Sequence, residues 1–489
     1  NNAGVPMATI QGLNYQIFHL GEEIPIRTST NNSFGNNDYI EFFGEKNRAS
    51  LDSFLFNNPS QSLLNPYYSL FTDTSSYYLT WNNGAGLRYQ NVVNNLNNPP
   101  AKEDYFMYDE IEVLSTSYVK KRADGYKYDP NFEIDGYAST LSANWTKVLP
   151  TPHLYASGAN SSLSIRMAVG EDGQHQQLVK IDGTTYIDET FSGFQLKEYT
   201  IPLTTASLGT TVEVKTENTF NNKDKSATSF VRLTYPRAFN FDNTNYFDFY
   251  INANTTNTYL EIENFDASNN PILYDLTNQI YINATYDVAE SKVKVVLTPS
   301  TQKRQLILVN STTGYKNVST LQSTNFIDFG QLDHDYIIIS NSRLYNDPTS
   351  GINHVQEYAD YRATTQGGNY SSIVVDINDL YEQFAYGIER TPISIRNFGH
   401  FIKKNWTNPK YVFIIGKAIE YNYIRTNTGL ATYYSSNFVP THGFLGSDNL
   451  LLSFPNTNIP IISLGRLAAL SPNEVRIYLD KVKKHENTQ

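Results

Sequence analysis

Apolar and polar residues alternate at period two along much of the first 330 positions. The runs Ser162-Leu-Ser-Ile-Arg-Met-Ala-Val, Thr211-Val-Glu-Val-Lys and Phe230-Val-Arg-Leu-Thr-Tyr, with 196–201 between them, are separated by turn residues every 8–12 positions or so. That pattern predicts a sandwich or jelly roll over residues 111–240, each sheet with one wet face. Residues 241–332 repeat the style in Tyr259-Leu-Glu-Ile, Lys292-Val-Lys-Val-Val-Leu and Gln305-Leu-Ile-Leu-Val, predicting a second small β-sandwich. Residues 1–110 read as a separate β domain. Its strand candidates are Ile24-Pro-Ile-Arg, Asp38-Tyr-Ile-Glu-Phe-Phe-Gly and Tyr77-Tyr-Leu-Thr-Trp81, divided by Asn/Gly/Pro punctuation such as 95–100.

At Asp335 the pattern changes. Tyr336-Ile-Ile-Ile-Ser is a continuous apolar run, as expected of a strand buried on both faces. A helical stretch follows over 352–365, with Val355, Tyr358, Ala359 and Arg362 on one side and Gly367-Gly368 as its stop. Ser372-Ile-Val-Val-Asp-Ile, Tyr411-Val-Phe-Ile-Ile-Gly and Pro460-Ile-Ile-Ser-Leu-Gly are further buried strands. Thr391-Pro392 supplies a cap and a first-turn proline to a helix striped by Ile395, Phe398 and Ile402, and Lys403-Lys404 suit its C-terminal end. Ser471 and Glu474 form a capping box ahead of Val475, Leu479 and Val482. Alternating strands and helices over 333–489 predict a parallel α/β layer with helices on both faces.

Length supports several domains: 489 residues exceed what one core organises, and roughly three or four units are expected. No apolar run approaches the ~20 residues of a membrane span. The first residues show no basic segment followed by an apolar one, so a signal peptide is expected to have been removed or left out. With 37 basic against 48 acidic groups, net −11, and basic clusters only at Lys120-Lys121-Arg122 and Lys403-Lys404, nucleic-acid binding is excluded. The 37 Tyr and 27 Phe, with only 17% charged residues, suit a secreted β-protein. Cysteine is absent, so these residues supply no disulfide, no thiolate metal site and no thiol nucleophile.

Three stretches of the α/β part resemble the gingipain family of cysteine peptidases. They are Tyr411-Val-Phe-Ile-Ile-Gly416, Ser447-Asp448 in the loop after Val439-Pro-Thr, and Ile462-Ser-Leu-Gly465-Arg466 with its following helix through Glu486. The front of the chain is similar to a narrower group, the surface sortases of the bacterial type IX secretion system. The segments that carry this likeness are Asp38-Tyr-Ile-Glu-Phe-Phe-Gly-Glu-Lys-Asn47, Asn65-Pro-Tyr-Tyr-Ser-Leu-Phe-Thr-Asp-Thr74 and Leu233-Thr-Tyr-Pro-Arg237.

The resemblance implies an all-β region followed by the first half of a caspase-like α/β peptidase domain working through a Cys–His pair. It implies removal of C-terminal sorting signals from exported cargo and attachment of that cargo to lipopolysaccharide. The implied place is the extracellular face of the outer membrane, and the implied partner is an outer-membrane β-barrel of the PorV type. The family's His and Cys are expected beyond Gln489, so no catalytic residue is assigned here. Asp448 and Ser447 are the candidates for substrate binding, because a recessed Asp would pair with an Arg or Lys of the substrate. Lys417 stands where the family often has an acidic residue after the strand's Gly.

Other chemistry is weaker. Of eight His residues, His442 lies closest in sequence to Asp448, and a structural or solvent-exposed role is expected for it. The run Asp242-Asn-Thr-Asn offers oxygen ligands that suit calcium but lacks an EF-hand glycine loop, so calcium is a possible cofactor and no other is expected. No Gly-x-Ser-x-Gly elbow surrounds Ser447. Two rival readings remain: a non-catalytic surface scaffold with a peptidase-like remnant, and a secreted gingipain-like protease without sortase activity.

Overall fold

The computed structural model describes residues 4–120, 134–170, 173–267, 271–318, 320–425, 431–443, 446–454, 457 and 459–487. Lys121 and Arg122 of the first basic cluster, and Gln489, lie outside the described residues. Among the described residues no helix is long and apolar enough to cross a membrane.

The first sandwich pairs two antiparallel four-stranded sheets. One runs Asn144–Pro150, Thr211–Asn218, Gln174–Ile181, Thr184–Ser192. The other runs Leu196–Leu203, Ser161–Val169, Ser226–Ala238, Tyr105–Val113. Gln174–Ile181 alternates outward and buried residues along its whole length, sending Val179 and Ile181 into the core with Leu163, Ile165, Met167, Val212, Val214, Val231 and Leu233.

The second sheet departs from the one-wet-face expectation. Ser161–Val169 is buried almost throughout, because residues 60–64 cover its outer face. Arg166 points outward there and donates to the carbonyls of Ser60 (2.9 Å), Leu63 (2.6 Å) and Leu64 (3.1 Å) while pairing with Glu198. The strand Tyr105–Val113 runs across the expected 110/111 border, its alternation weakened by Asp109, Glu110 and Glu112.

The second sandwich has a four-stranded sheet (Asn240–Thr244, Thr258–Phe265, Lys292–Leu297, Thr285–Asp287) facing a five-stranded one. The latter runs Tyr246–Ile251, Arg304–Val309, Ile272–Asp275, Ile280–Asn283 and Gln90–Val92. Gln90–Val92 comes from the front of the chain and pairs in parallel with Ile280–Ile282. Asn94 continues the contact, donating to Lys294 O (3.0 Å) and accepting from Val296 N (2.9 Å). The remaining front-end strands make a small sheet, Glu22–Ile24, Tyr15–His19, Tyr78–Trp81, and a two-stranded ribbon, Ile26–Thr28 with Ile40–Phe42.

The α/β layer has four parallel strands: β1 (Tyr336–Ser340), β2 (Ser372–Asp376), β3 (Tyr411–Ile415) and β4 (Ser463–Leu467), in the order β2-β1-β3-β4. Its helices are α1 (His354–Ala363), α2 (Ile377–Phe384), α3 (Ile393–Asn405) and α4 (Pro472–Glu486). Helices α1 and α4 pack together, as do α2 and α3. Phe413 of β3, Tyr358 of α1 and Tyr478 of α4 form a three-ring cluster, each ring in contact with the other two. The core joins Ile337, Ile338, Ile339, Val412, Ile414, Ile395, Phe398 and Ile402, all essentially dry.

Local signals place the helix ends. Asn353 caps α1 by accepting from Val355 N and Gln356 N. Ser471 accepts from Glu474 N, and the Glu474 carboxylate returns to Leu470 N (2.7 Å), one residue before the usual box position. Three details differ from expectation. Helix α2 follows β2 without a break, because Asp376 ends the strand and caps the helix through Asn378 N. Pro392 occupies the cap position of α3 rather than its first turn. β4 begins at Ser463; Pro460 instead bridges back to Ser453, and Ile461 donates to Leu452 O.

Candidate functional site

Strand order reverses between β1 and β3, and ligands of open α/β sheets bind beyond the carboxyl ends at such a point. Gly416 ends β3 there with φ +144, and a Cβ would come within 2.8 Å of Phe438 Cβ, so the glycine admits a close crossing of the chain. The crossing segment is hydrogen-bonded over the strand tip: Phe438 N donates to Lys417 O (2.9 Å) and Asn341 Nδ2 to Phe438 O (3.0 Å). Arg343, just after β1, donates to Tyr434 O (3.0 Å) and Asn437 O (2.5 Å), with its guanidinium over the Phe438 ring at 4.5 Å.

Arg466 of β4 is the second clamp. It forms a bidentate pair with Asp448 (Nε–Oδ2 2.7 Å, Nη2–Oδ1 2.8 Å) and donates to the carbonyls of Gly416 (2.7 Å), Val439 (3.0 Å) and Pro440 (3.0 Å). Thr441 Oγ1 also donates to Asp448 (3.1 Å). One guanidinium therefore ties β3, the crossing segment and the 448 loop together. Asp448 and Ser447 do reach the strand-tip region, but the Asp448 carboxylate is engaged by Arg466, and a substrate cation would have to share it. Ser447 precedes the short helix Asp448–Leu452, and its amide donates to His442 O (2.8 Å).

His442 is fully buried and neither ring nitrogen has a hydrogen-bond partner; burial, helped by the Arg396 guanidinium, pushes its ring down to about 3. Burial keeps the ring neutral and packed inside the fold, the structural rather than the solvent-exposed of the two roles expected for it. Asp242, half-exposed, is paired with Arg237 (2.5 Å) and His153 (2.6 Å), so a cation would have to compete with both. Among the described residues no three His, Cys, Asp or Glu side chains gather as a metal site.

Sequence reasoning missed two groups. In one, His354 at the start of α1 lies between Glu357 (Nδ1, 2.6 Å) and Asp347 (Nε2, 3.1 Å), bracing the loop after β1. The Thr349 amide, that His354 contact and the Ser350 hydroxyl hold the Asp347 carboxyl down at about 2. The i,i+3 spacing of His354 and Glu357 was its only local trace. The other group is a seam. Tyr421 and Arg425, after the β3 tip, insert between the front-end domain and the first sandwich. Tyr421 donates to Asp135; Arg425 donates to Ser69 O (2.9 Å) and Asp73 (2.6 Å) and lies 4.0 Å from the Tyr68 ring centre. Ala49, Leu55, Phe71, Tyr137, Ile393 and Tyr421 share one apolar cluster there.

Comparison with known proteins places this geometry. Residues 330–489 match the model of peptidase family C25. The crystal structure of dimeric latent PorU from Porphyromonas gingivalis is similar over 96% of this chain and 47% of that one, with 14% identity and a TM-score of 0.62. The chain thus spans about half the length of that protein. The CBM36-1 domain of a multidomain xylanase from the hindgut metagenome of Trinervitermes trinervoides matches 26% of this chain and 96% of its own, at 16% identity and TM-score 0.18. A β-glucuronidase of Ruminococcus gnavus matches 80% and 84%, at 9% identity and TM-score 0.18. No curated protein matches the sequence. Residues 330–489 are therefore similar to peptidase family C25, within a mostly β-stranded, multidomain chain whose fold is that of PorU.

Proposed function

We propose that the chain is the N-terminal portion of an outer-membrane surface sortase that trims the C-terminal sorting signal of type IX secretion cargo and joins the cargo to lipopolysaccharide. The single observation that carries this reading is the PorU fold across 96% of the chain, β domains included, with the C25 match over its last third. Of the front-end segments that carry the sortase likeness, 65–74 supplies Tyr68, Ser69, Phe71 and Asp73 to the seam that holds the strand tip.

The chemistry would be attack of a cysteine thiolate on the peptide carbonyl. The sorting signal leaves as the amine fragment, and a lipopolysaccharide amine or water then takes the acyl group. None of the 489 residues is Cys, so the nucleophile comes from outside them. What these residues contribute is position: Arg466 and Arg343 fix the rim of the cleft, and Asp448, already paired, orients the loop beside it. The partner on this reading is an outer-membrane barrel of the PorV type.

Cells lacking the protein should release cargo that keeps its C-terminal signal and carries no lipopolysaccharide. Correctly trimmed and attached cargo in such cells refutes the sortase reading. A specific observation, the absence of any thiol in this chain, favours one alternative, a non-catalytic scaffold. A denatured natural polypeptide of 55.5 kDa would select it.

A further inference from the structure

Two carboxylates are buried at the junction of the three domains. Asp52, from the front-end domain, accepts from Leu70 N (2.6 Å) and Ser69 Oγ (3.3 Å). Asp135, from the two-stranded ribbon Ser117–Lys120 with Asp135–Ala138, accepts from Tyr421 of the α/β part, with Tyr118 and the Gly136 amide as its further donors, while its Oδ1 is without a close partner. Asp52 is 1% and Asp135 0% exposed, and among the described residues neither forms an ion pair. The nearest guanidinium, Arg425, is bonded to Asp73 instead. The groups facing the two carboxyls are Ser69, Arg425, Asp73, Lys120, Tyr118, Tyr137, Tyr68 and Tyr421, and each carboxyl lies within the reach of one cation at most.

A dry carboxyl with two or three donors and no ion-paired cation favours the neutral acid where burial outweighs those donors, while the same group in water ionises readily. Tyr421 lies five residues beyond Gly416, so whatever holds Tyr421 also holds the loop leaving the candidate site. We propose that Asp52 and Asp135 make this junction a proton-operated latch, in which their neutral forms keep the Tyr421–Arg425 segment docked on the β domains and their ionisation releases it. Burial pushes Asp52 up to about 7 and Asp135 up to about 6; the Leu70 and Ser69 hydrogen bonds and the Arg425 charge oppose the rise at Asp52, to which the charge of Asp135 adds, while Tyr118, Tyr421 and Lys120 oppose the rise at Asp135. Both groups are thus raised above the exposed value. The docked state binds more protons than the open one, so docking is strongest in acid and weakens as pH rises through 6 to 7. The strand tip then becomes more mobile on the alkaline side of neutrality, without unfolding of the parallel layer.

Hydrogen exchange of the 489-residue chain, corrected for intrinsic rates, tests this at about pH 5.5 and about pH 8.5, where protection of 421–425 should fall about tenfold or more while that of β1 and β3 is unchanged. In the Asp52→Asn, Asp135→Asn double variant the protection should stay the same at both pH values. Equal protection in the wild-type chain at both pH values overturns the latch, and that result stands even if the variant fails to fold. A fall in the double variant as large as in the wild type also overturns it. The experiment reads no peptidase activity, so its outcome is separate from that of the sortase reading.

Discussion

The parallel layer and the three-domain seam meet within a few residues of one another, at Gly416 to Arg425, and are built on opposite principles. The layer's core is continuous and apolar: Ile337, Ile338, Ile339, Ile395, Phe398 and Ile402 have no accessible surface. The seam buries apolar groups too, but threads among them Asp52, Asp135, Arg425 and Arg396. Apolar burial is indifferent to pH, whereas a buried ionisable group is tolerable only while its partners and its protonation state suit it. The layer is therefore permanent and the seam conditional. The strand tip at their border therefore has one fixed wall and, on the proposed latch, one adjustable wall.

The largest expected effect breaks the fixed wall. Phe398→Ala leaves a cavity among Phe329, Phe384 and Trp406 and should cost about 3–5 kcal/mol, seen as a lowered midpoint in denaturant with the β-sandwich transition unmoved. Arg466→Met strands the Asp448 carboxylate and three carbonyls, and about 3 kcal/mol is expected from removing one partner of a half-buried pair. Restoration of most of that loss by adding Asp448→Leu would show that the stranded charge, rather than lost packing, is the cause. Gly416→Ala forces Phe438 off the strand tip, costing about 1–3 kcal/mol and raising exchange over 434–441.

On the adjustable wall the effects shrink. Tyr421→Phe removes the donor to Asp135 and should cost about 1 kcal/mol, read as faster proteolysis near 421 with an unchanged melting point for the layer. Arg476→Ala deletes an exposed pair with Asp480 on α4 and should change stability by no more than about 0.5 kcal/mol. A larger loss there would mean that α4 is held less by its buried stripe than Val475 and Leu479 suggest.

How much of this was legible in the sequence follows the same division. The switch near Asp335 was readable because an unbroken apolar run such as Tyr336–Ser340 has one physical use, a strand covered on both sides. The Ser471–Glu474 box was readable because its partners lie three residues apart. Helix α2 was not, since Ser372–Asp376 runs into it with no apolar break and Asp376 serves both elements. The Arg466–Asp448 clamp spans a loop, and Tyr421–Asp135 spans 286 residues, so no periodicity records them. The dryness of Ser161–Val169 was equally hidden, because its cover comes from a different domain.

The pairing of Gln90–Val92 with Ile280–Ile282 gives the chain a stitch, in which thread laid down early is caught by cloth woven nearly two hundred residues later. A protease cutting between 95 and 103 would sever the thread without freeing the piece. The front-end domain would remain sewn to the second sandwich through Gln90–Val92 and Asn94, to the first through Arg166, and to the α/β part through Tyr78 and Glu382. Such a nicked molecule would migrate as two bands after denaturation and as one particle before it. During synthesis the same stitch imposes an order: the five-stranded sheet cannot close until its first strand, long since made, has waited for its last neighbours.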